Sequence, residues 1–325
     1  MDRATFFGCF GFGAAVLPSL ALAAAQPAGS AFSGLGQART IAGDNLTGVR
    51  VLSQEKSCTV FKAGLEPAYR VALGELVLIE ASHGMPGLVT REGKFSEAKP
   101  GDKVNPATGP VFIEGVGPGD TLAMDILDIR VGDWGYSGGK VYEIQGGYLV
   151  LEPGLRLPLW PMLGVVGVAP AQGEMDTKTP CECGGNMDCR EVRAGSTLVL
   201  NAQVEGALLG VGDGHAAQGD GEIRGQGIET DTSTLCRFRK LPQRLSDRPV
   251  ILRQEMVATL GAHVDLNEAA WQATDDMVAL VRKVTGREEQ VARQLVNVLG
   301  ELKITQIVDP AKGARMELPS WVFGV

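Results

Sequence analysis

Glycine and proline cut this chain so often that most of it can fold only as short strands joined by turns: 44 glycines and 17 prolines stand among its 325 residues. Aromatic residues make up only 6%, so the composition points to a turn-rich, β-leaning protein with close backbone packing, not a helical bundle. Three stretches share one entry pattern: Gly74-Glu75-Leu76-Val77-Leu78, Gly119-Asp120-Thr121-Leu122-Ala123-Met124 and Gly195-Ser196-Thr197-Leu198-Val199-Leu200. Each opens on a Gly-polar turn and continues with alternating apolar residues, as a half-buried strand requires. In the second stretch, Leu122, Met124 and Ile126 fall on one face, and Ala123 and Asp125 on the other. Residues 163–168 form an unbroken apolar run, which predicts a strand buried on both faces.

The character changes near the C-terminus. Asp265-Leu266-Asn267-Glu268 places a carboxylate at N-cap spacing from a glutamate and predicts a helix to about Val284. Met277, Val278, Val281 and Val284 recur at helical spacing as its buried stripe. Thr285-Gly286-Arg287-Glu288 reads as a second capping box, opening a helix with Val291, Leu295, Val298 and Leu299 inward. Residues 303–309 read as a strand stopped by Pro310. The fold class is therefore mainly β (α+β), with two C-terminal helices.

Residues 1–25 carry a lone Arg3, an apolar run from Phe6 to Leu22, and small residues at Ala21-Leu22-Ala23. That is the layout of a secretory signal peptide. Arg3-Ala4-Thr5-Phe6-Phe7 also resembles a twin-arginine signal whose second arginine is Ala4, so the export route stays open. Residues 26–36 read as a flexible lead-in and 37–325 as one catalytic domain, placed in the periplasm or secreted. The formal charge of −8 lacks the basic face that nucleic acid or an acidic membrane would require. Outside the leader there are five cysteines, Cys58, Cys181, Cys183, Cys189 and Cys236, an odd number that leaves at least one thiol unpaired. Cys181-x-Cys183 with Cys189 lacks the second Cys-x-x-Cys pair of a zinc knuckle, so a loop disulfide or inert thiols fit better.

The chemistry concentrates in Gly212-Asp213-Gly214-His215-Ala216-Ala217-Gln218-Gly219-Asp220-Gly221-Glu222. One of only three histidines stands here with three carboxylates, among small residues that let the backbone approach a ligand. Such a set can hold a divalent metal or supply a general base and its partner. A turn between strands would explain the Gly-Asp pairs, but not His215 and Glu222 as well. Asp220 and Glu222 lie two apart, and in an extended segment both would enter one pocket. His263, just before the first helix, reads as a local cap or a surface residue.

This motif resembles the centre of the acetamidase/formamidase family. Asn105-Pro106-Ala107-Thr108-Gly109-Pro110, Pro118-Gly119-Asp120, residues 161–170, Gly184-Gly185-Asn186-Met187-Asp188 and Thr305-Gln306-Ile307-Val308-Asp309 resemble further family segments in the same order, across roughly residues 65–319. The resemblance implies an antiparallel β-sandwich core with added α/β elements, homo-oligomeric assembly, and hydrolysis of a short amide such as formamide or acetamide to ammonia and a carboxylate. It implies that Asp213 and His215 belong to the site and that Glu222 or Asp220 handles protons. Gly185, Asn186 and Asp188 would form a facing, substrate-binding wall, with backbone N–H groups and the Asn186 side chain offered to an oxyanion. Where many family members read Glu-Thr-x-Asp, this chain has Glu80-Ala81-Ser82-His83, so His83 becomes a candidate metal ligand beside Asp213 and His215. An imidazole suits zinc better than calcium, which prefers oxygen; zinc is the expected ion and calcium the alternative. Trp134 and Trp160 are candidates to enclose the substrate. The competing readings are the same fold acting on another C–N substrate, and a non-catalytic periplasmic binding protein whose oxygen-only site holds calcium.

The N-terminal reading has a direct check. Mass spectrometry of the protein from its native envelope should find a chain beginning near Ala24 or Gln26; an intact Met1 in a soluble cytoplasmic pool would refute it.

Overall fold

The computed structural model describes residues 48–324; the expected signal peptide and lead-in lie outside the described residues. The three Gly-led segments become the strands Leu76–Ala81, Thr121–Val131 and Ser196–Asn201. All belong to a nine-stranded sheet ordered Arg50–Leu52, Leu76–Ala81, Thr232–Leu241, Thr121–Val131, Ser196–Asn201, Val250–Leu252, Met256–His263, Lys312–Pro319, Glu301–Gln306. Only the first pair is parallel; the rest are antiparallel.

Alternation along Thr121–Val131 sorts its side chains into two layers, as the sequence pattern requires. Leu122, Met124 and Ile126 join a core shared with Val111, Leu163, Val166, Leu209 and Val211 of a second sheet. Ala123 faces the opposite way, into a separate core formed with the C-terminal helices. The layers therefore run helices, nine-stranded sheet, second sheet.

The second sheet has eleven strands. Leu209–Ala217 runs through it and pairs along one side with Met162–Gly167, the unbroken apolar run, which is buried throughout. Its other side has two successive neighbours. Ala107–Ile113 pairs with it from Leu209 to Gly212, and Ile228–Glu229 takes over at His215 and Ala217. This change of partner places the site described below.

Helix α1 spans Leu266–Thr285, with the Asp265 side chain accepting N–H bonds from Asn267 at 2.7 Å and Glu268 at 3.4 Å. Its buried face includes Met277, Val278 and Val281, with Val284 packed at the edge. His263 caps locally, its Nδ1 accepting the Asp265 N–H at 3.1 Å. Helix α2 spans Glu289–Leu299 and departs from expectation in two ways. The second capping box does not form, because Thr285 ends α1 with its hydroxyl donating to Val281 O, and Gly286 closes that helix in the left-handed conformation. The inward face of α2 is Ala292, Leu295, Val296 and Leu299, while Val291 and Val298 are exposed. Packing against α1 rotates the helix relative to the stripe its valines suggested. No helix among the described residues is long and apolar enough to cross a membrane.

Asp125 shares the outward face with Ala123 and gathers Thr197 Oγ1 at 2.7 Å, Arg239 Nε at 2.9 Å and Arg237 Nε at 3.1 Å. Burial alone would raise its pKa, but these partners outweigh it and hold the carboxyl below the usual aspartate range. Asp125→Asn should cost about 2 kcal/mol at neutral pH. A depressed folded pKa gives stability that is full above the unfolded value and fades as pH falls through the folded one. Melting curves of parent and variant should therefore converge in acid; a gap that stays constant down to the acid limit would refute the assignment.

Candidate active site

Asp213 falls where Leu209–Ala217 exchanges one neighbour for another, between Gly212, which faces Ala107, and His215, which faces Glu229. Its backbone is left-handed, with φ 56°, a conformation aspartate tolerates better than most residues. His215 Nδ1 lies 3.0 Å from the Asp213 carbonyl oxygen. A carbonyl can only accept, so Nδ1 carries the hydrogen and Nε2 is the ring's other face to the site. Nε2 sits 3.1 Å from Glu229 Oε1 without hydrogen-bond geometry. Glu229 Oε2 in turn accepts the Gly84 N–H at 3.1 Å.

Two further carboxylates complete the cluster. Asp188 follows the strand Gly184–Asn186, and Glu222 sits in a turn beyond Ala217; both are buried. Donor atoms of Asp213, His215 and Glu229 lie within 4.8 Å of one another, as do those of Asp188, His215 and Glu222. Four carboxylates thus surround one imidazole, and no Lys or Arg ion pair to any of them occurs among the described residues.

The electrostatics record that imbalance. Burial, then mutual repulsion, drives Asp188 and Asp213 well above the ordinary carboxylate range. Glu222 rises to about 9 from burial and the nearby Asp188. Burial opposes a charged imidazole at His215, but Glu229, Asp213 and Asp188 outweigh it and raise its pKa. Burial would likewise raise Glu229, yet His215 and the hydrogen bonds hold it near 2.

The residues fit a divalent cation. Both carboxylate oxygens of Asp188, Asp213 Oδ1 and His215 Nε2 are buried with no hydrogen-bond partner, a state that is costly unless something positive lies among them. The surrounding backbone leaves them room: a Cβ at Gly164 would lie 2.6 Å from Asp188 Oδ1 and 2.7 Å from Asp213 Oδ2. A Cβ at Gly84 would lie 2.8 Å from Asp213 Oδ1. Beside the cluster opens a cavity of about 330 Å³, lined in part by Asn105, Tyr136, Asn186, Asp213, Glu222 and Glu229.

Asp213, His215, Asp188 and Glu222, all read from sequence, converge here. Others are placed elsewhere. Asp220 turns away from the cluster: Arg315 Nη1 and Nη2 meet its two oxygens at 2.6 and 2.9 Å. The segment expected to be extended is a turn, with positive φ at Gly221, Glu222 and Arg224, so the two-residue spacing sends Asp220 and Glu222 apart. His83 is buried outside both donor groups. Its Nδ1 accepts the Met85 N–H at 3.2 Å, and its ring meets Trp134 and Tyr136 edge-on. Gly185 does not line the cavity; it faces Val166 in the sheet ladder. Gly184 N–H donates to Cys181 O at 3.1 Å. Asn186 does line the cavity, its Nδ2 donating to Asp309 at 2.8 Å and its Oδ1 unpartnered. Trp160 lies under Arg190 and Arg193 away from the cavity lining. Glu229 is the residue the sequence reading missed; the alternation Glu229-Thr230-Asp231 after Gly227 is the only local signal. All five described cysteines are unpaired thiols, and burial pushes Cys58 up, away from the thiolate a nucleophile needs.

A β-sandwich in which one strand brings Asp213 and His215 to meet carboxylates from three other segments, beside a small cavity, is a scaffold that could hold a cation with mixed donors. The acetamidase/formamidase family model matches residues 170–325. A crystal structure of an acetamidase from Bacillus halodurans is 33% identical, with 84% of this chain and 98% of that chain covered and a TM-score of 0.79. A predicted acetamidase/formamidase from Thermoanaerobacter tengcongensis is also 33% identical, with 85% and 97% covered and a TM-score of 0.80. The chain belongs to the acetamidase/formamidase family. Among curated relatives, an acetamidase of Mycolicibacterium smegmatis is 28% identical over 36% of this chain, and a formamidase of Methylophilus methylotrophus 24% over 37%. The chain spans about half the length of these two, 48% and 47%.

Gly164→Ala tests the cluster as a cation site. The added methyl group would meet the ends of Asp188 and Asp213 and, at 3.1 Å, the Asp213 carbonyl oxygen, so it cannot be accommodated without disturbing the donor arrangement. Circular dichroism should stay parental while bound metal, counted by elemental mass spectrometry, falls severalfold; full metal content would refute the site.

Proposed function

We propose that this protein hydrolyses a short-chain amide to ammonia and a carboxylate, with water as nucleophile and a divalent ion held by Asp213, His215 and Glu229. The carrying observation is the buried donor cluster, with unpartnered Asp188, Asp213 and His215 atoms, beside a cavity that Asp213, Glu222 and Glu229 line. Zinc suits a set that mixes imidazole with carboxylates, whereas calcium favours oxygen alone. When bound, the ion would polarise the amide carbonyl and acidify water.

The chain's own groups supply the rest. Glu222 is positioned as the proton carrier: its carboxyl borders the cavity and is pushed up to about 9 by burial and by Asp188. A carboxyl in that range keeps its proton at neutral pH and can hand it to the departing nitrogen, while a cation bound beside it would favour the ionised form that takes a proton from attacking water. Asn186 and Tyr136 line the cavity, and the Asn186 Oδ1 and Tyr136 hydroxyl are unpartnered polar atoms that a substrate could use. His215 is held by the Asp213 carbonyl, so its free nitrogen keeps one direction. The mixed donor set and the cavity weigh against a binding protein with an oxygen-only calcium site.

The cavity, about 330 Å³, exceeds what a two-carbon amide fills, since a water-sized molecule takes roughly 30 Å³. A substrate panel should therefore include longer amides. Ammonia release is expected from at least one amide, abolished by chelator and restored by added zinc. Glu222→Gln should lower kcat by about two to four orders of magnitude with KM little changed. Parental turnover in that variant would remove Glu222 from the chemistry, and absence of ammonia from every amide would overturn the activity.

A further inference from the structure

Arg315 is the largest fully buried side chain described, and nothing in the reaction outlined above uses it. It lies on Lys312–Pro319, where alternate residues serve different layers. Met316 and Leu318 join the core under the helices. Arg315 points the other way, toward the second sheet, and reaches the turn that follows Leu209–Ala217. Its two terminal nitrogens grip Asp220 at 2.6 and 2.9 Å, and its Nε meets Glu317 Oε1 at 2.5 Å. Lys303 Nζ completes the network on Glu317 at 2.6 Å. Such a fork-on-carboxylate pair fixes orientation as well as distance.

Two residues on, Glu222 has φ 42°, a left-handed backbone that a glutamate adopts only when its surroundings impose it. Local bonds close the turn: Glu222 N–H donates to Gly219 O at 3.2 Å and Gly225 N–H to Glu222 O at 2.9 Å. Gly221 is tied to the neighbouring strand through Thr305 O at 3.1 Å and Ile307 N at 3.2 Å. These backbone bonds set where the turn lies. The grip on Asp220 adds a side-chain anchor one residue before Gly221, while Glu222, one residue after it, borders the cavity.

We propose that Arg315 is the positioning residue of the site, locking the 219–225 turn through Asp220 so that the Glu222 carboxylate enters the cavity. The proposal rests on the reading of Glu222 as proton carrier for its effect on rate, but not for its effect on the turn. Arg315→Gln would leave Glu317 with a lost partner in the interior and could fail to fold. Asp220→Asn is the safer probe, since that side chain is a third exposed and the change keeps its shape. In the metal-loaded enzyme, Asp220→Asn should lower kcat about 10- to 100-fold with KM within about twofold. Arg315→Gln, where it folds, should do the same, and the double variant should be no worse than the more damaged single one. Hydrogen exchange followed by mass spectrometry gives a readout independent of turnover: the Glu222 and Gly225 amides should exchange at least about tenfold faster in Asp220→Asn, while amides of Leu209–Ala217 keep parental rates. Unchanged exchange in 219–225 overturns the lock, whatever the rate does. Faster exchange with parental kcat keeps the lock and overturns its role in catalysis. Glu222→Gln assayed alongside tells a failure of the proton-carrier reading from a failure of the lock.

Discussion

Four carboxylates around one imidazole repel one another, and the architecture near the site is organised to hold them together regardless. Asp213 sits at the break between two strand partners on one side of its strand, where Asn105 and Gly84 approach its carboxylate instead. Glu229 arrives opposite His215 from a strand of only two residues. Asp188 comes from the far side, past Gly164, whose missing side chain leaves the gap that the oxygens occupy. Burial strengthens both the repulsion and the attraction to a cation, so the cluster gains most when a positive ion lies among its members.

The same constraint explains which parts of the site were legible in the sequence. Asp213, His215 and Glu222 lie in one glycine-rich motif, and Asp188 in a second, so their residue types could be read locally. Glu229 could not, because its place depends on pairing with His215 across the sheet rather than on any pattern around it. Asp220 misled for a conformational reason. Alternation holds only while the chain is extended, and the left-handed residues 221 and 222 break it between the two carboxylates. His83 stands out in sequence as one of only three histidines. Packing settles its position, with the ring edge-on to Trp134 and Tyr136.

The fold was legible to a similar depth. Period-two alternation identified the three Gly-led strands and the two faces of Thr121–Val131, because each face meets a separate core. The first helix could be bounded at both ends, since Asp265 and Gly286 act through local backbone chemistry. The second could not be oriented, since its inward face is chosen by contact with α1 and two valines are left in solvent. Strand order and the division into two sheets depend on long-range pairing, which no local pattern encodes.

The contact between Arg315 and Asp220 joins the last strand but one in the order of the nine-stranded sheet to a turn 95 residues earlier in the chain, and it has a consequence for biogenesis. The strand that carries Arg315 is the last of the described strands to leave the ribosome. Until Lys312–Pro319 docks between Met256–His263 and Glu301–Gln306, the chain can assemble its other donors but has no guanidinium to grip Asp220. Completion of the site thereby waits on the synthesis of this strand, and a chain released before it would carry the motif without that support.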